Sequence, residues 1–155
     1  SDLVRKVLGP SEQRIVAAPS LAAELKAPIL PADLSRLPAL GLGPMQRDHA
    51  WTLHGPDGAG VRIPYKPRLV TDDMSQLLYA ATEGVGVAQL PTIVANAALA
   101  AGRLVDLLPQ WTPPPGEVQA VFPTRRGLLP SVRSFIDFLA DNYTAETAEQ
   151  ALRRA

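Results

Sequence analysis

The side chains that could do chemistry are few. His49 and His54 are the only histidines, with Asp48 and Asp57 nearby. Imidazoles and carboxylates are the groups that hold zinc-like ions, so residue type alone allows a metal site. Their i, i+5 spacing lacks the helical i, i+4 register, and a polar loop leading into a strand suits it better. Asp72-Asp73 could be a carboxylate pair for acid–base work. They stand just before an apolar-periodic segment, where one better caps a helix and the other favours its dipole. Arg125-Arg126 could bind an anion, although adjacent arginines at a strand end usually form a solvated corner. Trp51 and Trp111 could line a ligand surface, but packing is the commoner role. Gly41-x-Gly43 and Gly84-x-Gly86 are fragments of phosphate-loop patterns, and Gly84 follows a helix instead of opening one. There is no Gly-x-Ser-x-Gly elbow. Cysteine is absent, which removes disulfides, thiolate metal sites and a cysteine nucleophile. Nothing orders a nucleophile, a base and an orienting group. The expectation is no enzyme, no cofactor and no metal.

The elements that must position these residues alternate. Val4–Leu8 and Arg14–Ala17 read as strands around a Gly9-Pro10-Ser11 turn. Pro19 opens a short helix through Leu21 and Leu25, and Pro31 starts a helical turn ending near Leu37. Leu40–Leu42 is a brief strand. Trp51–Leu53 and Val61–Ile63 flank Pro56-Asp57-Gly58 as a hairpin. Arg68–Val70 is a strand. Met74, Leu77, Leu78 and Ala81 fall at i, i+3, i+4, i+7, which predicts a helix with Asp72 or Asp73 at its start and Gly84 as a left-handed cap. Val85–Leu90 is a buried strand stopped by Pro91, and Thr92–Ala101 is a helix ended by Gly102. Leu104–Leu108 and Val118–Phe122 are further strands. From Pro130, the positions Val132, Phe135, Ile136, Leu139 and Tyr143 lay one apolar stripe along a helix. Strands separated by helices imply an α/β chain with a partly parallel sheet.

Composition bounds the rest. A chain of 155 residues suits one domain or two small lobes. Fifteen basic and fifteen acidic side chains cancel, which argues against DNA held by the whole surface. Hydrophobic residues at 46% against charged residues at 19% argue against disorder. Sixteen prolines imply many short elements. No apolar run approaches the roughly 20 residues that span a bilayer, and the N-terminus lacks a signal-peptide core. A cytoplasmic chain without membrane contact is expected.

Four stretches in order carry a family resemblance. They are L-V-R-K-V-L-G-P…R-I-V-A-A-P-S-L-A from Leu3 to Ala22, and P-A-D-L-S-R-L-P-A-L from Pro31 to Leu40 with W-T-L…D-G after it. The third runs from Thr71 to Pro91 and continues with A-G-R-L-V-D-L-L-P-Q-W, Ala101 to Trp111. The fourth is V-F-P-T-R-R-G-L-L-P-S-V-R-S-F-I-D-F-L-A, Val121 to Ala140. Together they resemble the C-terminal effector-binding region of LysR-type transcriptional regulators over about nine-tenths of the chain.

The resemblance implies a fold like that of type 2 periplasmic binding proteins: an α/β mixed sheet flanked by helices, the second lobe complete and the first partial. Residues 1–19 would be a first-lobe remnant and first crossing strand, and 20–115 the effector-binding second lobe. Residues 116–143 would be the second crossing strand and C-terminal helix, and 144–155 a tail. The implied partner is a small-molecule effector in an inter-lobe cleft. DNA would be contacted only through an N-terminal helix-turn-helix outside this sequence. The apolar stripe implies a homodimer or higher homo-oligomer. An alternative is a solute-binding protein of related fold serving a transporter. Ligands of open α/β sheets sit beyond the carboxyl ends of strands. With the resemblance, this makes Gly41, Leu42, Gly43, Pro44, Thr71, Asp72, Val121 and Phe122 the expected effector contacts. The loop amides after Leu40 would be free to hold a carboxylate.

Overall fold

The computed structural model describes residues 3–44, 47–123 and 129–142. Among them the side chains of Val4, Ala120, Phe122, Pro123, Leu139, Ala140 and Asn142 are outside the description, as are the whole of Arg125, Arg126, Tyr143 and the expected tail at 144–155. The described elements follow in chain order as β1 (Leu3–Ser11), β2 (Gln13–Ala17), α1 (Pro19–Ala22), β3 (Leu40–Leu42), β4 (His49–His54), β5 (Gly60–Tyr65), β6 (Leu69–Thr71), α2 (Met74–Thr82), β7 (Ala88–Pro91), α3 (Thr92–Ala100), β8 (Val105–Asp106), β9 (Gly116–Pro123) and α4 (Pro130–Asn142). Pro31–Arg36 and Pro56–Gly58 form short 3-10 turns. The chain divides into two units, Ser1–Ser11 with Pro115–Ala155, and Glu12–Pro114.

The unit Glu12–Pro114 is built on a mixed sheet. β2 is antiparallel to both β7 and β8, and β3 is parallel to β6. A single parallel bridge, Ala39 with Val87, joins the two groups; Leu40 N–H donates to Val87 O and Val87 N–H to Pro38 O, each at 2.8 Å. The resulting order is β6-β3-β7-β2-β8. Because strand side chains alternate, each strand feeds two cores. Ile15, Ala17, Ala39 and Val87 face one way and pack with Leu34, Leu37, Trp51, Leu53 and Leu108, beneath the 3-10 turn and the β4–β5 hairpin. Val16, Leu40, Ala88 and Leu90 face the other way and pack with Leu77, Ala81, Ala95 and Ala98 of α2 and α3.

Local signals explain the α2 boundaries. Asp73 is the cap: its carboxylate accepts from Ser75 N at 2.8 Å and Gln76 N at 3.3 Å. Gly84 closes the helix at φ 79°, in the left-handed region where only glycine is at ease. Asp72 is exposed beside it.

The other unit pairs β1 with β9 antiparallel, from Leu3 opposite Pro123 to Ser11 opposite Gly116. Here the expected Gly9-Pro10-Ser11 turn is overturned. β1 runs through these residues, with its register shifting between Val7 and Gly9. Among the described residues β1 pairs only with β9, so the missing N–H of Pro10 can face an open edge. α4 packs on β1, and Lys6 pairs with Asp137 at 2.6 Å.

The apolar stripe of α4 is only partly covered. Ile136 is 8% exposed, whereas Val132 is 39% and Phe135 58% exposed. Within the single chain Val132 and Phe135 thus remain the part of the stripe that the expected homo-oligomer would have to cover. A two-stranded ribbon is too narrow to cover a wide helical face, and among the described stripe residues it shelters Ile136 alone. Leu139 and Tyr143, the remaining members, fall outside the described side chains.

Candidate functional site

β4 carries the first element of the site. Its burial alternates, with His49, Trp51 and Leu53 inward and Thr52 and His54 outward. A period of two places residues five apart on opposite faces, so the two histidines never share a surface. His49 is not a loop residue. It is a buried strand residue, 8% exposed. Its ring lies over the backbone of Gly41 in β3, so closely that a Cβ at Gly41 would come within 2.6 Å of His49 Cε1. Glycine there is required by the close approach. Tyr65, opposite His49 in the hairpin register, tilts against the same ring with centroids 5.5 Å apart. Tyr65 also stacks on Trp51 at 4.1 Å.

These side chains form one wall of a cavity of about 170 Å³. Leu40, Leu42, Met74 and Leu77 supply apolar surface from β3 and α2. Gln13 of β2, Gln89 of β7, Arg47 and Asp48 supply polar groups. The cavity lies at the end of β3 from which Leu42 leaves the sheet, where open α/β sheets collect ligands. His49 is part of its wall, and the Nε2 atom of that ring is buried without a hydrogen-bond partner among the described residues. The Tyr65 hydroxyl donates to Leu40 O at 3.3 Å. Burial pushes its pKa from 10.0 to about 12, against the opposing pull of the Arg47 charge, so the phenol stays neutral over ordinary pH.

A second, more open cavity of about 610 Å³ adjoins the first through Arg47, Asp48, His49 and Tyr65. Arg62, Pro64, Lys66 and Pro67 complete its lining. Among the described residues, no group of three or more His, Cys, Asp or Glu side chains could hold a metal ion.

The expected effector contacts fare unevenly. Leu42 lines the smaller cavity, and Gly41 forms the floor under His49. Gly43 adopts φ 110°, but its N–H donates to Thr71 O at 3.0 Å. The idea of a free amide there is corrected: parallel pairing with β6 consumes it. Pro44 has no N–H to offer and is exposed. The Thr71 hydroxyl is also engaged, donating to Gln76 Oε1 at 2.8 Å and accepting from Asp73 N at 3.1 Å. Asp72 is absent from the linings of both cavities. Val121 is an exposed residue of β9, and the side chain of Phe122 is outside the description. Residue-type reasoning passed over Arg47, Tyr65, Gln13 and Gln89. For His49, the available signal was its place two and four residues before Trp51 and Leu53 on one strand face.

The LysR substrate binding domain matches this sequence over residues 1–144. The chain belongs to the LysR substrate-binding domain family. It is 30% identical over 135 residues to the HTH-type transcriptional regulator PtxR of Pseudomonas aeruginosa, covering 87% of this chain and 43% of that protein. It is 31% identical over 144 residues to an HTH-type transcriptional regulator of Xanthomonas campestris pv. campestris, covering 90% of this chain and 41% of that one. The chain thus spans less than half the length of these curated relatives. Among solved structures it is similar to the regulatory domain of AphB in Vibrio vulnificus, with TM-score 0.68 and 25% identity over 92% of this chain and 71% of that one. The fold of the regulatory domain of CrgA from Neisseria meningitidis is also shared, with TM-score 0.70 at 24% identity, covering 93% and 71%. The type 2 periplasmic-binding-like α/β fold expected from the LysR resemblance is therefore the fold observed. The curated relatives favour a regulator over a transporter component.

Proposed function

We propose that this chain is the effector-sensing part of a LysR-type transcriptional regulator, and that the cavity between β3, β4 and α2 receives a small organic molecule. The supporting observation is the combination found there: apolar walls, a few convergent polar groups and a buried imidazole nitrogen without a partner. Binding sites typically combine such elements. The role involves no chemistry on the ligand. Occupancy alters regulation only if the ligand binds two states of the regulator unequally. DNA contact belongs to a helix-turn-helix region outside this sequence, and the working place is the cytoplasm, where DNA-acting regulators operate. A homo-oligomer would cover the exposed apolar residues of α4. Among the described residues no helix is long and apolar enough to cross a membrane.

Isothermal titration against small organic acids, amines and neutral compounds tests the reading. Leu42→Trp, which fills the cavity mouth from a half-exposed position, should abolish binding while circular dichroism stays unchanged. Binding that survives this substitution would place the effector elsewhere.

A further inference from the structure

Apart from the effector cavity, a cavity of about 280 Å³ opens between the Pro31–Arg36 turn and β5. Leu34, Leu37, Ala39 and Trp51 are buried and form its apolar floor. Pro38, Ile63 and Tyr65 are half-buried members of the lining, so an occupant can touch them. Ser35, Pro64, Lys66 and Arg68 are exposed and form the rim. Trp51 and Tyr65, stacked at 4.1 Å, are the two residues this lining shares with the effector cavity.

The charge of the rim has one sign. Its charged groups are Lys66 and Arg68, and no carboxylate lines the cavity. Neither cation makes an ion pair among the described residues. Arg68 donates to the Val85 carbonyl at a long 3.5 Å. Asp33, the one acid of the neighbouring turn, is already engaged. Its carboxylate accepts from Leu30 N at 2.8 Å and lies 4.0 Å from Arg36. The Tyr65 hydroxyl is likewise turned to Leu40 O, which leaves ring surface for the cavity. An apolar hollow under two uncompensated cations favours a partner that is apolar at one point and acidic around it.

Size separates a chain segment from a free small molecule. A volume of about 280 Å³ falls short of the roughly 300–1,000 Å³ usual for small-molecule sites. It suits one large side chain, in the way interface anchors fill pockets. The cations stand at the mouth, where the acidic neighbours of such a side chain would pass. Leu69, 40% exposed, adds apolar surface next to Arg68 in the chain.

We propose that this cavity is a docking site for an acidic protein segment, which inserts an aromatic side chain against Pro38, Ile63 and Tyr65 and sets carboxylates on Lys66 and Arg68. An aromatic anchor gains both buried area and ring contact with Tyr65. The site is separate from effector recognition and does not depend on how the effector cavity is read.

The test is a nuclear magnetic resonance titration of the isotope-labelled full chain with an acetylated, amidated pentapeptide of four glutamates around a central phenylalanine. The amide signals of Ile63, Lys66 and Arg68 should shift saturably. Replacing the glutamates by glutamines, or the phenylalanine by alanine, should each weaken binding at least about tenfold. In the protein, Lys66→Glu combined with Arg68→Glu, both at exposed positions, should weaken it by a similar factor. Ser35→Trp, which fills the mouth from the exposed turn, should abolish it while circular dichroism stays unchanged. Leu42→Trp, in the effector cavity, should leave it intact, so that failure of one site is read apart from failure of the other. No saturable shift at millimolar peptide overturns the proposal. So does binding that survives Ser35→Trp or is indifferent to the peptide's charge. Phenylacetate bound as tightly as the peptide would overturn the segment in favour of a small anion. If the same signals move with protein concentration and the peptide does not compete, the occupant is a second copy and the acidic segment is wrong.

Discussion

Placing a methyl group on Gly41 is a severe local test of the His49 environment. The substitution is Gly41→Ala. Its Cβ would meet His49 at 2.6 Å from Cε1, 2.8 Å from Nδ1 and 3.2 Å from Nε2. These atoms belong to a buried ring that also packs against Tyr65, so the ring cannot simply swing away. Gly41 does not occupy the left-handed region, and backbone strain adds nothing. Overpacking of a well-filled core costs about 1–3 kcal/mol. Alanine regains about 0.5–1 kcal/mol over glycine in a strand interior. Contacts this short put the cost in the upper half of that range, so the net expectation is a loss of about 1–2 kcal/mol, or about 2–8 °C in melting temperature for a chain of this size. Chemical denaturation measures it. A double-mutant cycle gives the mechanism: with His49→Ala in place, the methyl has room, and the penalty should shrink by about 0.5–3 kcal/mol. His49→Ala alone should be milder than truncation of an equally buried aliphatic residue, because it also removes an unpaired polar atom worth about 1–3 kcal/mol. A Gly41→Ala variant within about 0.5 kcal/mol of the parent would refute the packing account. So would a penalty unchanged when His49 is absent.

Three other substitutions probe separate parts of the chain. Gly84→Val should cost about 1 kcal/mol or more in urea melts, since Gly84 sits at φ 79° and its Cβ would also approach Ser20 Oγ at 3.2 Å; an unchanged midpoint would contradict the cap. Ultraviolet titration of phenolate should show Tyr65 ionising near pH 12, and Tyr65→Phe should remove that late phase. Because burial raises this acid's pKa in the folded state, its stabilising contribution is complete below about pH 10 and is lost as pH rises from 10 to 12, a slope that Tyr65→Phe should flatten. In α4, Ile136→Ala should cost about 2–5 kcal/mol if its burial is as tight as in a full core, while Phe135→Ser should stay within about 0.5 kcal/mol in the isolated chain; equal losses would show that Phe135 is covered too.

The fold was legible where periodicity and punctuation agree. α2 shows this best. Met74, Leu77, Leu78 and Ala81 carry the helical spacing, Asp73 and Gly84 mark its ends, and the structure places the helix at Met74–Thr82 between them. β3 falls at Leu40–Leu42 as expected, and the hairpin was visible too, though its strands, His49–His54 and Gly60–Tyr65, are longer than the apolar runs alone suggested. Punctuation misled at Gly9-Pro10-Ser11. There a proline-glycine pair lies inside β1, because an edge strand can leave the proline side unpaired and absorb a register shift. The stripe on α4 is covered only in part within the chain, for a different reason. Helical spacing specifies which residues share a face, but not how wide a surface the rest of the unit offers to cover it.

The site was less legible because its decisive features are long-range. The amide of Gly43 looked available, as the amides of any glycine loop do. Its fate depends on β6, almost thirty residues further on, whose Thr71 carbonyl takes it. The same pairing directs the Thr71 hydroxyl back to α2, where Gln76 and Asp73 use it. His49 was visible as a titratable residue but not as a buried one. Its face of β4 becomes apparent only once Trp51 and Leu53 are known to point inward, and its depth only once Gly41 is known to lie beneath it. The cost of an unsatisfied imidazole is set by that burial. A histidine in a polar loop would lose nothing to water, whereas this one gains from any ligand that reaches Nε2. Parallel pairing therefore does two things at once. It removes the Gly43 donor that the sequence advertised, and it holds β3 where Gly41 lies beneath the His49 ring.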